Sequence, residues 1–346
     1  MDTQNTEAPE NHPAGIAHDM PAGYTLRAPT MADIPAAVVV MNRSTLECAG
    51  VADASEGLTA RHWGDPDRDL AQDTWVVIAP DGSLAAVAQL HPFPPYVEHE
   101  FDLYVDPAHA GRGIDVAVRS AIRARALALS AMHHVPESPY LLTTTYRSDS
   151  ATAAALQAEG YRPIRLWQRM EIDLPGVELP PPHWPEGLSV RTFDPERDMY
   201  ALWEMMDAAF TDHWSHVQIA FERWRFHAVD HEPNFDPSLF FLVIDAAHPE
   251  QVAAAAMTRL ERPGDPAAGH VRELGVRREY RGRGVGLALL LHLFADFQRR
   301  GKERVSLGVD SESLTGANRL YLRAGMRPVL DLLYYRQDLG TDLPGE

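Results

Sequence analysis

The sequence predicts an α/β protein built from two tandem domains, each a mixed, twisted sheet covered by helices, and three observations carry that expectation. The chain has 346 residues, more than one core usually organises and enough for two domains of about 150 residues each. A proline-rich break interrupts it near the middle. The segments on either side of the break run through the same succession of strand and helix signals, which is an internal repeat.

Residues 1–22 are rich in Asn, Glu, Pro and Ala without periodicity, the pattern of a disordered tail. The first domain is expected over 23–174 and the second over 188–346. Between them, 175–187 lie within LPGVELPPPHWPEG, where five prolines and two glycines forbid a regular element and suit a semi-rigid linker. YTLRAPTMADIPAAVVVMN in the first half matches LSVRTFDPERDMYALWEMMD in the second; each gives a short strand, a turn and an amphipathic helix. Paired strands follow, TWVVIAP-DGS-LAAVAQL with its Asp-Gly hairpin signal and LFFLVIDAAHPEQVAAAAM. FDLYV and VRELGV then each enter an Arg-Gly turn and a long helix, and each half closes with strand, short helix, Gly and strand.

Composition narrows the function classes. Hydrophobic residues at 45 % and charged residues at 23 % describe a soluble globular protein. The single cysteine, Cys48, leaves no intrachain disulfide and points to a reducing cytoplasm. The N-terminal stretch lacks the basic start and apolar run of a signal peptide, and the longest apolar run, Leu287–Leu291, falls far short of the roughly 20 residues of a membrane span. A net charge of −18 argues against nucleic acid. Such acidity either concentrates a cationic amine near the surface or serves solubility alone.

The chemistry points to one loop. VRELGVRREYRGRGVGLALLLHLFADFQRRG reads as strand, glycine turn and helix, with an apolar stripe at Leu287, Leu290, Phe294 and Phe297 and a C-terminal cap at Gly301. In Arg281, Gly282, Arg283, Gly284, Val285 and Gly286, glycines let the backbone approach an anion while the helix start directs unpaired N–H groups at it. That reads as a phosphate or pyrophosphate site or, more simply, as a tight strand–helix turn. No Gly-Lys-Ser/Thr follows, so it is not a nucleotide P-loop, and the spacing does not fit a dinucleotide fold.

The R-x-x-G-x-G loop after an apolar strand resembles the acyl-CoA loop of the GNAT superfamily of N-acyltransferases. KERVSLGVDSESLTGANRLYLRAGMRPV is similar to that family's next strand and helix, with its L-Y-x-x-x-G-[FM] ending. The resemblance covers the chain from about Leu188 onward, more faintly residues 24–174, and is to the tandem, double-domain actinobacterial type. It implies direct transfer of acetyl from acetyl-CoA to a primary amine of a small molecule, without a metal because the thioester is already activated. It places pantetheine against Leu274, Gly275 and Val276, and pyrophosphate on the amides of Arg281 to Gly286. Arg281 and Arg283 would add charge there or stand as solvated surface arginines. Tyr321 takes the family's tyrosine position, as the acid for the leaving thiolate or as a residue packed on the sheet. Glu273 is the carboxylate placed to relay the amine's proton, or an ordinary strand glutamate. Ser313 or Asn318 takes the place of an asparagine that many members carry. His213 and Trp214 are either acceptor contacts or buried aromatics.

The first copy departs from this pattern. Ala110, Gly111, Arg112, Gly113, Ile114 and Asp115 lack the leading Arg and carry a carboxylate in place of the last Gly, and Leu156 stands where Tyr321 does. A carboxylate some 4 Å from a phosphate costs a few kcal/mol at an effective dielectric of about 20. The first domain is therefore expected to be non-catalytic. His227 and His231 share a helix face, yet no third ligand is evident, so no metal site is expected. Three readings stay open: acetylation of a small-molecule amine, acetylation of a cysteinyl amine on a sugar scaffold, and a non-catalytic acyl-CoA sensor. Monomer and homodimer are equally compatible with the sequence.

Overall fold

The computed structural model describes residues 20–213, 217–312 and 316–340, so most of the expected tail lies outside the described residues. The first half runs β1 (Thr25–Arg27), α1 (Ile34–Ala49), α2 (Glu56–Trp63), α3 (Leu70–Asp73), β2 (Thr74–Ile78), β3 (Leu84–Pro92), β4 (Glu98–Val105), α4 (Ile114–Met132), β5 (Tyr140–Tyr146), α5 (Ser150–Ala158) and β6 (Arg162–Asp173). The second follows that order with one α-helix fewer before its second strand, as β7 (Leu188–Thr192), α6 (Pro195–Phe210), α7 (Phe221–Arg225), β8 (Phe240–Asp245), β9 (His248–Arg259), β10 (Ala268–Val276), α8 (Val285–Arg299), β11 (Arg304–Asp310), α9 (Ala317–Arg323) and β12 (Arg327–Asp338). Among the described residues no helix is long and apolar enough to cross a membrane.

The compact units divide differently from the covalent repeat. One comprises residues up to 164 together with those from 334 onward; the other comprises 165–333. In the first unit the strand order is β1-β2-β3-β4-β5, with the end of β12 beside β5. In the second it is β6-β11-β10-β9-β8-β7, with the start of β12 beside β6. Each unit is thus closed by a strand that the sequence assigns to the other half. The stretch 175–187 contains no helix or strand, but it is not a free spacer. Leu179 and Trp184 pack against the second unit's core, and Gln298 Nε2 donates to the carbonyls of Leu174 (3.1 Å) and Val177 (3.2 Å).

The second unit has a mixed sheet covered on both faces. Val252–Met257 of β9 is buried at every position, as a central strand under two helical layers requires. One face packs Leu289, Leu290, Leu293, Phe294 and Phe297 of α8 over Val271, Val305 and Leu307. The other packs Leu202, Met205 and Met206 of α6 over Leu242, Ala255 and Met257. Helix α8 starts where Gly284 adopts φ 88° and stops where Gly301 adopts φ 77°. There the Gly301 N–H reaches the Gln298 carbonyl and the Lys302 N–H that of Phe297, each at 3.0 Å.

The parallel pair at the centre is incomplete. Strands β10 and β11 pair from Ala268↔Arg304 to Val271↔Leu307 and then part. Beyond that point each keeps its outer partner: Val276 pairs Ala254 of β9, and Asp310 pairs Trp167 of β6. A register shift between Val271 and Glu273 marks the departure. The Trp167 indole lies against Gly308 of β11, where an added Cβ would stand 1.6 Å from its Cζ2. Gly308→Ala should therefore destabilise the protein by roughly 1–3 kcal/mol through overpacking. In a Trp167→Ala background the same change should cost almost nothing. Urea denaturation of the four proteins checks this; equal costs in both backgrounds would mean that the indole does not set the constraint.

Candidate active site

A cavity of about 870 Å³ opens where β10 and β11 part, within the second unit. Its walls are Leu274, Gly275 and Val276 on one side, Gly308, Val309 and Asp310 on the other, the glycine loop and start of α8 at one end, and α9 above. Gly275 is required by the sheet's other face, where a Cβ would lie 2.7 Å from Met205 Cε and 2.8 Å from Ala209 Cβ. Leu274 and Val276 turn toward the α8 core.

The loop is shaped as an anion cradle. Gly282 and Gly284 adopt φ 74° and 88°, and nothing stands within 4 Å of where a Cβ on either would project. Such left-handed conformations favour glycine. Gly286, in the first turn of α8, packs against α9, where its Cβ would meet Leu320 at 3.0 Å. The helix start thereby presents its N–H end to the cavity without side chains in the way.

The two loop arginines behave differently from a simple positive cradle. Each guanidinium nitrogen of Arg281 is engaged: Nε donates to the Val276 carbonyl (3.0 Å), Nη1 to Asp212 (2.8 Å) and Nη2 to the Ala209 carbonyl (2.8 Å). Asp212 also pairs Arg278, and the bond from Arg281 is foremost in holding its carboxyl below the usual carboxylate range. The Arg281 side chain is thus a strut that ties the loop to the end of α6, with its charge offset. Arg283 lies outside the cavity wall, its guanidinium 5.3 Å from the Tyr280 ring centroid.

Tyr321 stands on the cavity wall from α9, in the same space as the parted strands and the loop. It is buried, and that burial pushes its hydroxyl up to about 12, so it remains protonated at neutral pH. Asn318 has a structural task, its Nδ2 donating to the carbonyls of Ser311 (2.8 Å) and Asp310 (3.3 Å). Ser313 lies outside the described residues.

Glu273 is half-buried on β10 opposite Met257, two residues before Gly275, and does not itself line the cavity. It belongs to an ion cluster: buried Glu232 takes Arg259 and, at 2.9 Å, Arg272. Desolvation raises the Glu273 carboxyl above its ordinary value against the lowering pull of Arg272 and Arg259. His213 lines the cavity beside Phe210, while Trp214 lies outside the described residues. His227 and His231 both pack on the Phe226 ring, at centroid distances of 5.1 and 3.9 Å.

Sequence reading missed Trp167, Arg165 and Asp212. Arg165 and Trp167 reach the cavity from β6, which precedes the proline-rich break, and nothing local announces that. Gly308, alone inside an apolar strand, was the available signal, since a strand glycine often marks a close approach. In the first unit, strands β4 and β5 also pair only from Glu98↔Tyr140 to Glu100↔Leu142. There Asp115 is bound at 2.7 Å by buried Arg119, which also holds Glu159, and Leu156 is buried.

Comparison with known proteins agrees with this geometry. The profile described as the Acetyltransferase (GNAT) family matches residues 199–326. Mycothiol acetyltransferase from Salinispora arenicola is 35 % identical over 260 residues, covering 72 % of this chain and 76 % of that protein. The mycothiol acetyltransferase of Thermobispora bispora is 31 % identical over 87 % of this chain and 95 % of its own length. A solved GCN5-related N-acetyltransferase from Sphaerobacter thermophilus superimposes with a TM-score of 0.75 at 32 % identity, covering 94 % of this chain and 99 % of that one. The paired repeat, the glycine loop at the parted strands and these likenesses establish that the chain belongs to the GNAT family of acetyltransferases and is an acyltransferase.

Proposed function

We propose that the second unit moves an acetyl group from acetyl-CoA to a primary amine of a small molecule by direct attack in a ternary complex. The observation that carries this reading is the meeting, in one cavity, of a protonated buried Tyr321, the glycine loop and two strands whose facing edges are unpaired. The thioester's pantetheine amides can take up those strand edges at Leu274–Val276, and its pyrophosphate the amides of Arg281–Gly286. The amine nitrogen attacks the thioester carbonyl carbon, and the C–S bond breaks. Tyr321 supplies a proton to the departing sulfur, and the proton released by nitrogen passes to Glu273 through water. His213 and Trp214 serve the acceptor side. The mycothiol acetyltransferase relatives favour a cysteinyl amine as one form of that acceptor. The first unit is non-catalytic, because Asp115 occupies the anion position and Leu156 that of the acid. The single half-buried Cys48 is compatible with a reducing cytoplasm.

Calorimetric titration with acetyl-CoA tests the loop. Gly284→Ala should retain most of the affinity, its backbone strain costing about 1–2 kcal/mol in stability. Gly284→Glu should abolish binding, and Gly113→Glu should leave both affinity and stoichiometry unchanged. Binding that survives Gly284→Glu and vanishes with Gly113→Glu would assign the cofactor to the other unit.

Tyr321→Phe should lower kcat roughly 10²–10⁴-fold with acetyl-CoA affinity retained, as expected for loss of a general acid. Unchanged turnover would remove Tyr321 from the chemistry.

The proton acceptor is read from pH. Because the Glu273 carboxyl is raised and must be ionised to accept a proton, kcat/KM should rise as pH increases through that elevated value. Glu273→Gln should lower the plateau by roughly 10²-fold and remove this limb of the profile. A profile of the same shape in the variant would show that another group takes the proton.

A further inference from the structure

Charge pairing around the cavity leaves two arginines over. Among its acidic wall residues, Asp212 is matched by Arg281 and Arg278, and Asp310 by Arg165 at 2.6 Å. Glu312 stands 3.8 Å from the second terminal nitrogen of Arg165. Arg319 and Arg323, one turn apart on α9 and therefore on one face of it, line the same cavity and are exposed. Among the described residues neither has a carboxylate within 4.0 Å, in a chain where acidic residues outnumber basic ones by 49 to 31. The Arg319 guanidinium folds over the start of α9, Nη2 lying 3.0 Å from where a Cβ on Gly316 would project.

Two guanidinium groups with no paired carboxylate among the described residues, at the rim of a cavity that holds the glycine loop, suit a dianionic phosphate, which they can hold in forked geometry. The glycine loop already supplies N–H groups for one phosphate-bearing segment. A CoA thioester carries a second, separate anionic group, the 3′-phosphate of its ribose. We propose that Arg319 and Arg323 grip this 3′-phosphate and make the second unit selective for CoA thioesters over their 3′-dephospho forms. The assignment rests on the reading of the cavity as the acetyl-CoA site, and it makes α9 a bifunctional element. Tyr321 faces the reacting sulfur, and the flanking arginines anchor the far end of the cofactor.

The test measures affinity and kcat/KM for acetyl-CoA and 3′-dephospho-acetyl-CoA with the wild type and the Arg319→Ala/Arg323→Ala protein. The wild type should prefer acetyl-CoA by roughly ten- to a hundredfold, the range for charge-assisted hydrogen bonds. The double variant should lose that preference while its affinity for the dephospho compound stays at the wild-type value. Both side chains are exposed, so its thermal midpoint should match the wild type. Two results overturn the inference while leaving the acetyl-CoA site intact: a wild type that binds both compounds alike, or a double variant that keeps the preference. An equal fall for both compounds also overturns it and gives the arginines to the pyrophosphate. A wild type that binds neither compound overturns the cofactor reading itself.

Discussion

The parting of β10 from β11 after Val271↔Leu307 is the constraint on which the rest of the second unit depends. Neighbouring parallel strands normally share their hydrogen bonds to the end, because an unpaired buried N–H or carbonyl costs about as much as a lost hydrogen bond. Here the ladder is abandoned on the inner side and kept on the outer sides. Two local features make the divergence stable. The register shift at Val271/Glu273 turns β10 away, and Trp167, seated on Gly308, occupies the β11 side. What results is an opening edged by peptide groups in search of partners. A ligand with amides of its own matches that edge better than a purely apolar one.

Arginine organises the periphery of this opening, as expected in a chain with 49 acidic residues. Arg281 is the informative case. Read as a string of letters, it is a cation beside a phosphate loop; in three dimensions its donors are spent on Asp212 and two backbone carbonyls. Fastening the loop in this way fixes the positions of its N–H groups, and a preorganised donor array needs less reordering on binding than a mobile one. The buried Glu232 cluster works on the same logic beside β10. Arg259 and Arg272 share one carboxylate, and Glu273 titrates in the field of both. Removing Glu232 would leave two half-buried guanidinium groups with only Glu273 nearby among the described residues, which is why such clusters resist piecemeal change.

Much of this was legible in the sequence, for reasons that can be stated residue by residue. The α8 stripe, the Gly284 start and the Gly301 stop are local, and each required only helical periodicity and the sterics of positive φ. The loop's place at the end of an apolar strand followed from the same signals, whereas Tyr321 was singled out only by the resemblance to the family's L-Y-x-x-x-G-[FM] ending. The division into units was not legible. Strand β6 precedes the proline-rich break and β12 ends the chain, so which sheet each closes is a long-range matter with no local marker. Trp167 inherits that difficulty. The roles of Arg281 and Asn318 were equally hidden, because hydrogen-bond partners many residues apart leave no trace in spacing.

The two copies show how little change separates an anion cradle from a sealed turn. Both keep the left-handed glycines, Gly111 and Gly113 in one and Gly282 and Gly284 in the other, so the backbone path survives. The difference lies one step into the helix. Gly286 lets α8 press against Leu320 and leaves the N-terminal end free of side chains. Asp115 instead places a carboxylate in that turn, where it meets both the helix dipole and the Arg119 guanidinium 2.7 Å away. Arg119 is buried and shared with Glu159, so one guanidinium serves two carboxylates, and an incoming phosphate would meet a site that is already net negative. Changing Asp115 to glycine would leave Arg119 held by Glu159 and Leu156 buried at the place aligned with Tyr321. The two turns therefore differ at three aligned places, where Ala110, Asp115 and Leu156 stand opposite Arg281, Gly286 and Tyr321.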